Sequence, residues 1–348
     1  MSLPVIKSLA DCADFEKTVV PYIPQFYDIF QQVLESVTNP QALKILYVST
    51  NPLISAFSIS LFLSPIFLLA AEINRNYSQV DRFWSLLPTF YNAHFVLYAH
   101  LLGLPTARLD AVLITSVIWS SRLTFNYWRK GGYSIGSEDY RWEVLREYLS
   151  PPLFLVFDVV FISLAQNILL FSVSMPTYLM LLAAKKSGDH LDAGDLGFSA
   201  VMVAFVALSF AADQQQWNFQ SAKQKYRKTA KAPTQYHRED LDRGFNVVGL
   251  WSWSRHPNFA AEQSVWVTLY AWSCYATKTY YNWTGVGAIC YLCLFQASTW
   301  FTELISAKKY PEYQEYQKRV GKFYPKLVAN LPGDFSDQYS KKTDSKSQ

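Results

Sequence analysis

The run Leu53-Ile54-Ser55-Ala56-Phe57-Ser58-Ile59-Ser60-Leu61-Phe62-Leu63-Ser64-Pro65-Ile66-Phe67-Leu68-Leu69-Ala70-Ala71-Glu72-Ile73 decides the fold class. It carries no charge before Glu72. At ~1.5 Å per residue it is long enough to cross the ~30 Å hydrocarbon core of a bilayer. Similar runs lie near Leu86–Leu104, Leu109–Tyr127, Leu153–Met175, Leu196–Ala212, Phe259–Ala276 and Thr284–Thr302. Asn92, His94, His100 and Arg122 interrupt the second and third runs. Composition agrees: of 348 residues, 51% are hydrophobic and 17% aromatic, with 11 Trp, 23 Tyr and 24 Phe. The pattern predicts an all-α, polytopic transmembrane helix bundle of about seven spans.

Three segments follow from this pattern. Residues 1–52 are of mixed polarity and broken by Pro21, Pro24 and Pro40, which predicts an amphipathic or irregular segment. Residues 53–330 form the membrane-embedded part. Residues 331–348 read as a polar tail, disordered from Ser336 onward. No cleavable leader is visible, because Asp11, Asp14 and Glu16 follow the first residue without a continuous apolar core.

Lys and Arg collect in alternate loops. Residues 74–85, 128–150, 213–258 and 303–348 carry two, four, eight and nine, whereas 105–110, 185–195 and 277–283 carry one, two and one. Cytoplasmic loops hold the excess of such residues, which predicts a cytosolic C-terminus. Topology therefore accounts for the net charge of +4 without a nucleic-acid partner. In the 213–258 loop, Lys223, Lys225, Arg227, Lys228 and Lys231 fit either a solvated surface or an anion site. Cys12, Cys274, Cys290 and Cys293 show no metal-ligand or redox spacing, and no metal is expected.

Under this topology a set of polar residues falls at the cytosolic ends of the spans. Asp81 and Trp84 precede the second span, Arg122 lies inside the third and Asp158 inside the fourth. Asp213 ends the fifth, Glu262 opens the sixth and Glu303 closes the seventh. Charge beside hydrocarbon costs a few kcal/mol, so Arg122 and Asp158 are expected to be partners, and the set as a whole suggests a polar cavity facing the cytosol. The loop Trp128 to Trp142, with Gly131, Gly132 and Gly136 and the run Glu138-Asp139-Tyr140-Arg141, could cap such a cavity or merely connect two spans. Phosphate-loop, dinucleotide-fold, serine-elbow and zincin signatures are absent.

The segment Gly249-Leu250-Trp251, then Ser254-Arg255-His256-Pro257-Asn258-Phe259 and Glu262, resembles the C-terminal signature of the DUF1295 membrane proteins. These are relatives of the steroid 5-alpha-reductases and, more distantly, of sterol reductases and isoprenylcysteine carboxyl methyltransferases. Asp81 with Trp84, the Glu138-to-Arg141 run, Ala212-Asp213-Gln214 and the tail from Lys309 through Tyr313 and Tyr316 to Pro325 extend the likeness over roughly residues 78–325. Ala260-Ala261 departs from the aromatic-glycine pair often found there.

The resemblance implies an NADPH-dependent membrane oxidoreductase, expected in the endoplasmic reticulum. It would reduce a carbon–carbon double bond of a steroid-like, isoprenoid or enone lipid that enters from the bilayer. Asp213, Trp251, Arg255, His256, Asn258, Glu262, Tyr313 and Tyr316 would line the cofactor. Asp81 and Tyr140 are candidates for orienting substrate or donating a proton, and Trp84, Arg122, Asp139, Arg141 and Asp158 for substrate contact or structure. Two other readings stay open: methyl transfer from S-adenosylmethionine to a lipid-linked acceptor, and a non-enzymatic lipid-binding protein. Eight bases against four acids in residues 213–258 favour the phosphorylated cofactor over a sulfonium.

Overall fold

The computed structural model describes residues 2–188 and 190–326. Among them the chain is helical, with no strand and one isolated bridge between Ser254 and Gly321. The protein is an all-α membrane bundle. The expected tail, 331–348, lies outside the described residues.

Four helices are long and apolar enough to cross a membrane by length and composition: Pro52–Asn74, Pro151–Ser187, Ala193–Thr229 and Gly285–Lys309. The other three expected runs fall on Leu87–Leu101, Ala107–Arg129 and Pro257–Thr277. Leu87–Leu101 has 15 residues, a rise of about 22 Å at ~1.5 Å each. Ala107–Arg129 carries Arg108, Asp110, Arg122 and Arg129.

Two helices outrun the apolar runs that predicted them, at 37 residues each. Ala193–Thr229 continues past Ala212 because the residues that follow, rich in Gln and Lys, include neither Gly nor Pro. Pro151–Ser187 contains a π-helical stretch, Asp158–Ala165, where the hydrogen-bonding turn widens by one residue.

Contacts divide the described residues into two units, one within 1–203 and 266–292, the other within 204–265 and 293–326. In the first, Leu87–Leu101 packs on Ala107–Arg129 across a short connection, and Met175–Ser187 packs against both. Residues 175–184 are buried without exception. Small polar side chains tie these helices together. Asn92 Nδ2 donates to Ser116 Oγ at 2.7 Å, Thr177 Oγ1 to Asn92 Oδ1 at 2.7 Å, and Ser174 Oγ to the Pro88 carbonyl at 3.0 Å. Such bonds hold helices together where lipid supplies no hydrophobic drive. A buried ion pair adds to them: Arg108 grips Asp195 through two bonds of 2.7 and 2.8 Å, and Trp272 Nε1 donates to the same carboxylate at 2.7 Å.

The second unit has two small aromatic cores. One gathers Phe245, Val247, Tyr313, Tyr316 and Val320. The other gathers Phe219, Ala222 and Leu241. Gly244 stands beside them at φ +87, and a Cβ there would meet the Tyr310 ring at 2.6 Å, so only glycine fits this turn. Its carbonyl accepts from the buried Lys223 Nζ at 2.8 Å.

Candidate functional site

The sequence-predicted residues fall into two sets. Asp81, Trp84, Arg122, Asp139, Tyr140, Arg141 and Asp158 belong to the first unit; the eight cofactor candidates belong to the second.

In the first unit, two loops far apart in sequence are stitched together. Asn76 Nδ2 and Arg82 Nη2 both donate to the Ser137 carbonyl at 2.9 Å. The Tyr77 amide donates to Glu138 Oε1 at 2.8 Å, and the Asp139 amide to Ser78 Oγ at 2.8 Å. Trp142 Nε1 closes the set on Asp81 Oδ2 at 2.8 Å. Asp139 caps the Tyr140–Tyr148 helix by accepting from the Arg141 amide, and also receives that residue's guanidinium at 2.8 and 2.9 Å. Burial raises the Asp81 carboxyl above its ordinary range; the Arg141 charge opposes this without reversing it. Asp139 goes the other way. Burial would raise it, but the Arg141 bond and charge prevail and hold it low. Two neighbouring carboxyls are thereby pushed apart in proton affinity. Tyr140 is half exposed, and the Trp84 ring lies 6.2 Å from that of Tyr291.

The expected Arg122–Asp158 pair does not form. Asp158 is fully buried, accepts from Ser163 Oγ at 3.1 Å and makes no ion pair among the described residues. The reason is packing: the π-helical stretch bearing Asp158 lies against Pro52–Asn74, whereas Ala107–Arg129, bearing Arg122, lies against Leu87–Leu101 and Met175–Ser187.

In the second unit the Arg255-His256 signature is built into the backbone. The Arg255 amide donates to the Gly321 carbonyl at 2.9 Å and the His256 amide to the Lys322 carbonyl at 3.1 Å. Arg255 Nε and Nη2 donate to the two Glu303 oxygens at 2.6 and 3.0 Å. Its Nη1 donates to the Gln317 carbonyl at 3.1 Å and to the Val320 carbonyl. All but one of the guanidinium hydrogens are thus engaged. His256 Nε2 lies 2.9 Å from Glu303 Oε1, and Gln317 Nε2 donates to Glu303 Oε2 at 3.0 Å. Burial lowers the imidazole of His256, with Glu303 acting against it.

Glu303, noted in the sequence only as the closing residue of a span, is the centre of this cluster. A lone carboxylate near a helix end carries no motif; its one signal is a charge at the close of an apolar run. Trp251 Nε1 donates to the Ala212 carbonyl at 3.2 Å, and the Tyr316 hydroxyl to the Trp251 carbonyl. Tyr313 packs edge-on to Tyr316, at a centroid distance of 5.7 Å.

One acceptor remains open to chemistry, that of Asn258. Asn258 Nδ2 donates to the buried Asp213 Oδ1 at 3.0 Å, which fixes the direction of the amide. Its Oδ1 is shielded from solvent and has no hydrogen-bond partner among the described residues. Glu262, one turn along the same helix, is buried.

The profile of a family described as protein of unknown function (DUF1295) matches residues 66–320. An uncharacterized protein of Schizosaccharomyces pombe is 35% identical over 346 residues, covering 99% of this chain and 98% of the relative. No solved structure matches. The chain belongs to the DUF1295 family.

Proposed function

We propose that this DUF1295 protein is a membrane-embedded, NADPH-dependent reductase of a conjugated carbon–carbon double bond in a steroid-like or isoprenoid lipid. The observation that carries the reading is Asn258: an amide oriented by Asp213 whose buried Oδ1 can still accept a hydrogen bond. An acceptor withheld from water costs about 1–3 kcal/mol unless a partner arrives, and a carboxamide N–H such as that of nicotinamide satisfies it. The second unit therefore fits the group. The exposed Lys225, Arg227, Lys228, Lys231 and Arg238 supply cations suited to its phosphates. Bound there, the cofactor supplies hydride.

The chain's own part is positioning and proton supply. At Asp81 burial raises the carboxyl above its ordinary range and so favours the protonated form that a proton donor needs. Trp142 Nε1 orients that carboxyl. The half-exposed Tyr140 is proposed to hold the substrate oxygen. Arg255, His256, Trp251 and Tyr316 act as the frame that keeps Asn258 and Glu262 in place. The cytosolic C-terminus and an endoplasmic reticulum location belong to the same proposal and rest on the loop charges and the family likeness.

One observation favours a methyltransferase as the second reading. The buried bases Lys223, Arg243 and Arg255 hold protein oxygens, and Asp213, which accepts from Asn258, and Glu262 add buried carboxylates, whose charge attracts a sulfonium.

Thermal unfolding of the detergent-purified protein separates these readings, because a ligand that binds only the folded state raises its stability. Stabilisation by NADPH above NADH, lost in Asn258→Leu, is the expected result. Stabilisation by S-adenosylmethionine alone establishes the second reading, and response to neither leaves a lipid-binding protein without catalysis.

A further inference from the structure

The helix Ile23–Ser36 precedes the first span and buries no residue completely. Its 14 residues rise about 21 Å at ~1.5 Å each, too short to cross ~30 Å of hydrocarbon. At 100° per residue its surface divides into three sectors. Ile23, Tyr27, Phe30, Leu34 and the adjoining Val37 form one apolar stripe, and all are exposed, Tyr27 at 75% and Phe30 at 63%. Asp28, Gln31, Gln32 and Glu35 form an exposed polar sector. Gln25, Phe26, Ile29 and Ser36, all partly covered, form the third sector together with Val33, which is 39% exposed.

The covered sector faces the first span. The helix packs against Pro52–Asn74, with the Phe26 and Phe57 rings 5.6 Å apart, and Gln25 Oε1 accepts from the Asn51 amide at 2.8 Å. Phe57 lies five residues beyond Pro52, about 8 Å along the helix axis at ~1.5 Å per residue. An in-plane amphipathic helix settles about 5–10 Å into the boundary between headgroups and acyl chains. A helix fixed sideways to a span at this depth has protein on one side, acyl chains beneath and water above. Those are the three sectors found. Phe62, Ile66, Leu69 and Ile73 of the first span are exposed as well.

We infer that Ile23–Ser36 is an in-plane anchor whose Ile23/Tyr27/Phe30/Leu34 stripe lies on phospholipid acyl chains, on the face of the bilayer where Pro52 enters. Because the helix contains no Lys or Arg and carries Asp28 and Glu35, its attachment depends on apolar area and needs no anionic lipid.

The test uses the full chain reconstituted in phosphatidylcholine vesicles, with Cys290 and Cys293 replaced by Ser. A nitrobenzoxadiazole label is placed in turn at Tyr27→Cys, Leu34→Cys, Asp28→Cys and Gln32→Cys. Nitroxide-bearing phosphatidylcholine is expected to quench the first two several-fold more than the last two, equally with and without phosphatidylserine. Equal quenching at all four positions overturns the inference. So does weak quenching at Tyr27→Cys accompanied by a disulfide between two copies, which would make a second chain the occupant. Loss of the stripe's quenching when phosphatidylserine is omitted also overturns it.

Discussion

Each unit holds an arginine against a carboxylate, and the two pairs do opposite work. Arg141 and Asp139 are two residues apart, about one-quarter exposed, and shape one loop. Arg255 and Glu303 are 48 residues apart, buried, and fasten Gln317 and Val320 to the signature segment. The local pair leaves Asp81 beside it with a carboxyl that resists ionisation. The distant pair leaves almost no donor free. The same two residue types thus make a reactive neighbourhood in one place and a structural clamp in the other, and sequence separation with burial decides which.

The comparison breaks first at Asp81. Asp81→Asn is expected to lower turnover of an enone lipid by about 10²–10⁴-fold with a smaller effect on thermal unfolding, since the amide keeps an oxygen that can accept from Trp142 Nε1. A matched loss of stability would make Asp81 a structural residue. Glu303→Ala should do the reverse: removing one partner of a buried pair costs about 3–5 kcal/mol, read as a lowered unfolding midpoint. Asn258→Leu is smaller, with NADPH affinity expected to fall by the equivalent of about 1–3 kcal/mol, over and above the loss of ligand-free stability that follows from breaking its bond to Asp213.

His256 sharpens the comparison through pH. Its folded pKa lies below the unfolded value, so the unfolded chain binds the proton first. Its contribution is complete above about pH 6.5 and is lost as pH falls toward the folded pKa. Unfolding midpoints should therefore drop on acidification below that point, with a shallower slope in His256→Gln. The smallest effect belongs to Arg141→Ala. A partly exposed pair contributes about 1 kcal/mol or less, and a loss as large as that of Glu303→Ala would erase the distinction between the two pairs.

Much of the fold was legible because apolar length is a one-dimensional signal. The run Leu53–Ile73 predicted the helix Pro52–Asn74 almost to the residue, since its neutral interior and the flanking Pro52 and Arg75 mark both ends. The continuation of Ala193–Thr229 beyond Ala212 was not legible from hydropathy, because helix propensity outlasts the apolar run there. The Asp81 and Glu138-to-Arg141 motifs were picked out separately, and the structure joins them through the bond to Trp142. Arg122 and Asp158 were paired on cost alone, and that inference failed because depth in a membrane says nothing about which helices are neighbours.

By itself the sequence determined that the chain is a helical membrane protein of the DUF1295 family and which polar residues are too expensive to be incidental. Hydrophobic length and local motifs are properties of the chain, so they survive without coordinates. Only tertiary structure decided that Arg255 is held by Glu303, that Asp158 stands apart from Arg122, and that Asn258 keeps a buried acceptor open. Hydrogen-bond satisfaction depends on which groups folding brings within about 3 Å, and spacing along the chain does not encode that.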